Sequence, residues 1–552
     1  MARKIELGET DFKAFREAGA LYIDKTALIE HVLDASKVLL FCRPRRMGKT
    51  LNLTMLKYFF DIKEDSAELF KGLFIETQTG FEERNKYPVI YLSFRDYAKS
   101  NYLKYLIKDV NSELRRYLSP EQFSEEVKLT LAEPDAYGTG LLKDVTKNLF
   151  DVYNSKAIIL IDEYDKLIMD NVGDSEFEEI RSFVKRVMSS ALKDNPYLEK
   201  AVITGVNRIA QESLFSDLNN ITVCDVFTKS IFDTDFGFTE TEVNSVYDEV
   251  SADTEMPFNT DDLRNWYNNY QIGNKKLYFS YSVLSALYRR ELGCYWGRSG
   301  IMDMIREHLT TDRISTITEL LNGYPDEVVP VSIKDRLTVE DLSGFTNDDA
   351  FYTLLVQTGY MTLASPSEFF TMENVSLPNH ELELVWREFL VSKVYQNKAA
   401  QFERNILGAN SPEALELLFQ NAINGRLSYY DFDSGEPEKT YHVYVAGMFA
   451  MLGYKFISNA ESGLGRYDLA VELPKYNLIF EFKTAKLEAD LPKASEAAIK
   501  QIHDNHYDYG LPTDKTTYNI GIGFYKKLCK VKAENLFIPT RKPGTTSGCP
   551  IP

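Results

Sequence analysis

"FCRPRRMGKT", residues 41–50, closes the short apolar run "KVLLFC" (37–42) and precedes "LNLTMLKYFFD" (51–61), whose apolar residues recur at helical spacing. A loop between a buried strand and a helix N-terminus is where backbone amides and the helix dipole can hold a phosphate. The usual spelling of such a loop is G-x-x-x-x-G-K-[ST]. Gly48, Lys49 and Thr50 supply its second half, but Arg43 stands where the first glycine belongs. Read alone, the decapeptide is either a phosphate cradle or a basic surface turn. In the first reading Lys49 contacts the β- and γ-phosphates and the Thr50 hydroxyl faces magnesium.

A second stretch weighs toward the cradle. "KAIILIDEYD" (156–165) is an apolar strand ending in Asp162-Glu163. Asp162 is the candidate magnesium holder, directly or through water, and Glu163 the candidate general base beside the γ-phosphate. The plain alternative is an acidic strand end that caps a helix. Two halves of one site, in order and each at a strand end, count against both plain readings together.

The surrounding pattern fits. Between about 37 and 226, apolar runs ("PVIYLSF", 88–94; "KAVITGV", 200–206) alternate with long helical segments. Buried strands separated by helices predict a mostly parallel sheet covered on both faces. The first 36 residues read as a turn and helix packed before the first strand. From 239 to about 430 the pattern is helical and often amphipathic, as in a lid or linker. After 436 a helix leads to the strands "GRYDLAVEL" (465–473) and "YNLIFEFKTAK" (476–486), then a helix (491–507) and a last strand, "YNIGIGFYK" (518–526). We therefore expect an α/β chain of three regions: 1–238, a P-loop domain; 239–435, a helical lid or linker; and 436–540, a compact α/β module.

Bulk properties bound the function. With 552 residues, two to four domains are expected. A net charge of −19 disfavours broad affinity for nucleic acid or an anionic membrane, though a local basic groove or a metal-bridged phosphate contact remains compatible. The start, "MARKIELGETDF", lacks the apolar centre of a signal peptide, and no run approaches a membrane span. Cys42, Cys224, Cys294, Cys529 and Cys549 form no CxxC pair, so zinc is not expected, and a reduced, cytoplasmic setting is. The end, "TRKPGTTSGCPIP" (540–552), reads as a frayed tail.

"ALYIDKTALI" (20–29), "CRPRRMGKT", "PVIYLSF", "ILIDEYDKL" (159–167), "AVITGVNRIAQESLFSDLNNI" (201–221) and "DFGFTETEV" (235–243) together resemble the AAA-ATPase-like domain of many bacterial and archaeal genomes, over roughly residues 4–285. In that family the loop reads R-P-R-R-[FM]-G-K-[ST], so an arginine in place of the first glycine is a family trait. The resemblance implies an AAA-type fold that takes ATP and Mg2+, with Arg43, Pro44, Arg45, Arg46, Met47, Gly48, Lys49 and Thr50 around the nucleotide. It implies a polar sensor of the γ-phosphate at Thr204 or Asn207. Arg208, Arg181 or Arg186 are candidate arginine fingers, with a structural role the plainer reading of each. Tyr22, Asp24 and Lys25 in "YIDKT" also match, as a wall near the adenine or as the domain's opening turn with a helix cap at Asp24 or Thr26.

The second constellation is Asp468 on one strand and Glu481-x-Lys483 on the next. Residues two apart on a strand share a face, so Glu481 and Lys483 point together and a hairpin can bring Asp468 beside them. Two converging carboxylates repel unless a cation lies between, which points to a magnesium site. Lys483 could then orient or deprotonate the nucleophile and stabilise charge on a scissile phosphate. Glu-x-Lys alone is common as a solvated pair. The wider segment, about 436–530, resembles the PD-(D/E)XK nuclease domain that accompanies the ATPase-like domain in the same family. That resemblance adds Gln501 as a site neighbour, in a helix that also carries Tyr507, and Glu438 and His442 as candidates for which core or cap roles are the alternative. Arg466, Lys486, Lys526 and Lys527 would have to supply local attraction for a polyanion.

The expected function is an ATPase joined to a metal-dependent nuclease acting on nucleic acid, with DNA the expected form, and with no membrane partner. The alternatives are a nucleotide-dependent switch whose nuclease-like module binds without cutting, and a remodeller that acts as a homo-oligomer.

Overall fold

The computed structural model describes residues 4–97, 101–133, 140–209, 221–252, 254–296, 301–344, 347–364, 372–390, 406, 411–424 and 441–534, the last without 443–444, 447–448, 450–453, 459–460, 463–464, 467, 474–475, 506, 508–514 and 527. Glu438, Lys527, residues 210–220 of "AVITGVNRIAQESLFSDLNNI" and the tail lie outside the described residues. The chain divides into two units, Met1–Ser299 with Val328–Glu383, and Gly300–Glu327 with Leu384–Pro552.

The first unit is built on a five-stranded sheet of β1 (Val38–Cys42), β2 (Val89–Ser93), β3 (Ala157–Asp162), β4 (Leu198–Gly205) and β5 (Ile221–Cys224). The order is β2-β3-β4-β1-β5, and every neighbouring pair is parallel. All residues of β1 and β3 are buried. Because successive side chains point to opposite faces, full burial means that both faces are covered, and it explains why these strands read as unbroken apolar runs. The Lys49–Phe60, Tyr102–Arg115 and Leu141–Tyr153 helices pack on this sheet.

The parallel register carries β1 and β3 so that both end at one edge, with β4 between them: Leu40 faces Ile203, and Ile203 faces Ile161. That edge holds both the arginine-rich loop and Asp162. The helices Glu240–Ser251, Thr260–Tyr267 and Ser280–Arg289 share an apolar core with Ile5 and Leu21 from the chain's start. Lys25 fastens the same junction, donating to Glu242 Oε1 at 2.7 Å and to the Thr234 carbonyl at 2.8 Å. The hairpin β6 (Tyr270–Ile272) and β7 (Lys275–Leu277) and the small antiparallel sheet of β8 (Val329–Val331), β9 (Thr362–Leu363) and β10 (Glu373–Ser376) complete this unit.

The second unit centres on a sheet of order β11-β14-β15-β16-β17, from β11 (Lys455–Ser458), β14 (Leu469–Glu472), β15 (Tyr476–Thr484), β16 (Thr516–Tyr525) and β17 (Leu528–Glu534); β12 (Glu461–Ser462) and β13 (Gly465–Arg466) pair separately. Only β15 and β16 are parallel, and the Leu491–Asp504 helix makes the crossover that a parallel connection needs. This helix lies very close to β16. A Cβ at Gly521 would stand 2.7 Å from the Ile499 nitrogen, and one at Gly523 2.7 Å from the Leu491 carbonyl oxygen. The Pro412–Asn424 helix covers the edge strand β17, where Gln420 and Glu416 accept the N–H groups of Cys529 and Val531.

Candidate functional site

Gly48 ends the arginine-rich loop at φ 83°, a left-handed conformation that glycine adopts at little cost, and the Lys49–Phe60 helix begins directly after it. Lys49 folds its amine back into the loop, donating to the carbonyls of Arg43 (2.9 Å) and Pro44 (2.8 Å). Burial pulls this lysine down to about 8, opposed by the charges of Asp162, Asp165 and Glu163. Its ammonium thus feels the charge of three carboxylates and donates to neutral carbonyls, an arrangement that an incoming anion can displace.

Thr50 donates to Asp162 Oδ2 at 2.7 Å, so the two strand-end motifs meet. Thr204 on β4 donates to Asp162 Oδ1, as does the Glu163 N–H at 3.0 Å. Glu163 is at φ 53°, unusual for a residue with a long side chain, and burial followed by the charge of Asp162 raises its carboxyl above the ordinary range. A hydroxyl and a carboxylate within hydrogen-bond distance form a hard oxygen set, the donor chemistry a magnesium ion takes. Among the described residues no group of three or more His, Cys, Asp or Glu is arranged to hold a metal ion.

The arginines of the loop divide. Arg43 is fully buried, and its guanidinium donates to the carbonyls of Cys224 (2.8 Å) and Cys42 (3.2 Å), bracing β5 against the loop. Arg45 and Arg46 are exposed. Trp296 Nε1 donates to the Arg45 carbonyl at 3.1 Å; Arg46 donates to the Tyr295 carbonyl and lies 4.2 Å from the Tyr281 ring centre. Met47 is buried, and its carbonyl accepts the Gly237 N–H at 3.0 Å. The loop's outer side is therefore gripped by the helical region that follows the sheet.

Asn207 lies just beyond β4. Its N–H and side-chain amide both donate to Asp165 Oδ2, at 2.8 and 3.0 Å. Arg208 pairs with Asp225 (2.6 Å), Arg181 with Glu178, and Arg186 with the Ser182 hydroxyl. Tyr22 donates to Met55 Sδ, while Asp24 accepts from Thr26 and from the Phe74 N–H. Those contacts brace the opening turn. Asp165 was not among the expected residues, although the second aspartate of "DEYD" lies three residues beyond Asp162 and signals a further polar contact.

In the second unit, Asp468 precedes β14, and its Oδ2 accepts the Phe482 N–H at 2.7 Å. The Asp468 N–H donates to Glu481 Oε2 at 3.4 Å, and Lys483 Nζ to Glu481 Oε1 at 3.0 Å. The three expected residues are thus brought together. Glu481 is 1% exposed, and burial together with the charge of Asp468 pushes it up to about 7, against Lys483. A buried glutamate whose ionisation the charge of Asp468 opposes forms, with that aspartate, a hard oxygen set again suited to a divalent cation. His442 hydrogen-bonds the Asp468 backbone, and its ring packs 6.0 Å from that of Phe482. Phe482 alternates to the face opposite Glu481 and Lys483. Gln501 donates to the Tyr507 hydroxyl at 3.0 Å, within an apolar cluster with Ile499 and Ile502.

Comparison with known proteins agrees with this division. Residues 6–215 match the family model described as a predicted AAA-ATPase, and residues 436–534 match the PD-(D/E)XK nuclease superfamily. A protein of Azotobacter chroococcum mcd 1, described as "Uncharacterized protein in vnfD 5'region", is 26% identical over 520 residues, covering 92% of this chain and 93% of its own. The solved structure of a signal transduction ATPase with numerous domains and a tetratricopeptide repeat sensor, from Pyrococcus horikoshii, is 11% identical with a TM-score of 0.25; the match covers 82% of this chain and 55% of that one, so the chain spans about half its length. The chain joins a predicted AAA-ATPase domain to a domain of the PD-(D/E)XK nuclease superfamily.

Proposed function

We propose that the chain binds and hydrolyses ATP in its first unit and cleaves a nucleic-acid phosphodiester in its second, with the nucleotide state governing cleavage. The observation that carries this reading is the 2.7 Å contact of Thr50 with Asp162, next in sequence to a buried Lys49 whose amine donates, among the described residues, to the loop carbonyls of Arg43 and Pro44.

In this reading Lys49 exchanges the Arg43 and Pro44 carbonyls for the β- and γ-phosphates. Glu163 takes a proton from the attacking water, a role for which a raised carboxyl pKa is suited. Thr50 and Asp162 would hold a magnesium ion, which would offset the charge on the phosphoryl oxygens. Asp468 and Glu481 would hold a second divalent ion, and Lys483 would orient water toward the scissile phosphate. Oligomer formation and a cytoplasmic location belong to the same reading. Among the described residues no helix is long and apolar enough to cross a membrane.

One observation favours the non-cutting switch. Lysines on the second unit's sheet or just before its strands are matched by acids: Lys515 with Glu472, Lys530 with Glu416 and Lys532 with Glu496. That pairing lowers the attraction for a polyanion. Two assays separate the readings. Lys49→Ala should abolish ATP turnover in an otherwise folded protein. Plasmid DNA nicked in magnesium or manganese by the native chain, and left intact by Lys483→Ala, supports the nuclease; plasmid left intact by both supports the switch.

A further inference from the structure

Two carbonyls of the arginine-rich loop are held from outside it. Trp296 Nε1 donates to the Arg45 carbonyl at 3.1 Å, and the Gly237 N–H donates to the Met47 carbonyl at 3.0 Å. In a planar trans peptide the N–H points opposite to the C=O. Pinning these carbonyls therefore turns the Arg46 and Gly48 N–H groups away from Trp296 and Gly237. Among the described residues neither N–H donates to a backbone carbonyl. Arg46 at φ 64° and Gly48 at φ 83° are left-handed, while Met47 between them is not. Alternation of this kind gathers successive N–H groups into a concavity that takes an anion.

The indole that does the pinning is itself fixed. Trp296 is buried; its ring stacks on Phe279 (centroids 4.9 Å apart, interplanar angle 16°) and meets the edge of Tyr360 at 4.8 Å. Gly359, at φ 94°, passes so close that a Cβ there would stand 3.3 Å from the indole and 3.4 Å from Pro44 Cβ. The strap's backbone is anchored as well. Glu381, fully buried in the first turn of the His380–Phe389 helix, accepts the N–H groups of Tyr295 (2.5 Å) and Trp296 (2.7 Å) on its Oε1. A buried carboxylate is costly unless it is hydrogen-bonded, and the strap supplies those bonds. One oxygen thus holds the segment whose indole grips Arg45 and whose Tyr295 carbonyl accepts from Arg46. Both Trp296 and Glu381 lie beyond residues 6–215, the span of the ATPase-like match.

Resting on the reading of the first unit as an ATPase, we propose that Trp296 and Glu381 are positioning residues for the nucleotide: the indole N–H fixes the Arg45–Arg46 peptide so that the Arg46 N–H donates to a phosphate oxygen, and Glu381 fixes the indole. Neither side chain touches the nucleotide. The loop is pre-shaped from outside, and the first-glycine position can carry Arg43 because the turn is held by contacts rather than by glycine freedom alone.

The test is a cycle of variants read by steady-state ATP hydrolysis, by calorimetric titration of ATP with magnesium, and by melting. Trp296→Phe keeps a ring between Phe279 and Tyr360 but removes the donor. It is expected to raise both the Kd and the KM for ATP about threefold to tenfold, the loss of one aimed amide, with kcat within about twofold of native. Glu381→Gln keeps an acceptor oxygen and should bind ATP as native does. Glu381→Leu removes it and should weaken ATP binding as Trp296→Phe does. Because both act through one peptide, Trp296→Phe/Glu381→Leu should bind no more weakly than the worse single variant. Native Kd and KM in Trp296→Phe, with or without a lower melting temperature, would make the indole a packing residue and overturn the proposal. So would a fall in kcat at unchanged KM, or losses that add in the double variant. If Glu381→Leu does not fold, Trp296→Phe and Glu381→Gln decide between them. Native protein that binds no ATP overturns the ATPase reading as well, whereas native binding with an indifferent Trp296→Phe overturns this proposal only.

Discussion

Replacing Glu163 by glycine should make the protein more stable and inactive at once. Glu163 has φ 53°, where an L-residue pays about 1–2 kcal/mol that glycine does not. Glycine is more flexible in the unfolded chain, which returns roughly 0.5–1 kcal/mol. The substitution also removes a half-buried carboxyl whose ionisation the neighbouring Asp162 already opposes. The net expectation is a gain of about 0.5–1 kcal/mol, or a rise in Tm of roughly 1–3 °C. Calorimetric melting of native and Glu163→Gly protein without nucleotide reads the first effect, and steady-state ATP hydrolysis the second, with a loss of about 10²-fold or more for a missing general base. Glu163→Gln is the control: it keeps the strained backbone, so it should lose turnover without the gain in Tm from relieved backbone strain. A Tm for Glu163→Gly several degrees below native would refute the account of a strained residue retained for its chemistry, and surviving turnover would refute its role as base.

Other consequences are local. Gly48→Ala places a side chain in open space but at φ 83°, so it should cost about 1–2 kcal/mol of stability through backbone strain alone and loosen nucleotide binding, as melting and an ATP titration would show. Gly521→Ala drives a Cβ against backbone atoms of the Leu491–Asp504 helix; overpacking of this kind costs roughly 1–3 kcal/mol, and the second unit should melt earlier while ATP hydrolysis persists. His31 hydrogen-bonds Asp235 at 2.8 Å, which raises its pKa above 6.5 against the effect of burial. A raised folded-state pKa gives stability that is complete below the unfolded value and lost as pH rises through the folded one. The Tm difference between native and His31→Gln should therefore be larger near about pH 5.5 than near about pH 8.5, as melts at the two pH values will report.

Much of this was legible in the sequence because the signals are local. A parallel strand buried on both faces must read as an apolar run, and "KVLLFC" and "KAIILIDEYD" did; strand periodicity alone put Glu481 and Lys483 on one face. What the sequence hid was long-range. The placement of β4 between β1 and β3 depends on pairing, and it is what brings Thr204 to Asp162. The helical stretch after residue 239 divides between the two units, which no composition shift announced. Arg43 sits in a tract that reads as basic surface, yet it is buried against two strand-end carbonyls. Asp165 looked like one acid among many until its two donors from Asn207 were seen. The glycines of "YNIGIGFYK" were a usable sign of close backbone approach, since glycine weakens a strand unless something needs the space.

The central claim, that the arginine-rich loop grips a triphosphate through Lys49, is tested most directly by calorimetric titration of ATP with magnesium into native protein, Lys49→Ala and Lys483→Ala. Loss of a charged hydrogen bond of roughly 1.5–3 kcal/mol predicts that Lys49→Ala binds about tenfold to a hundredfold more weakly, while Lys483→Ala binds as native does. Equal ATP affinity in native and Lys49→Ala protein would contradict it.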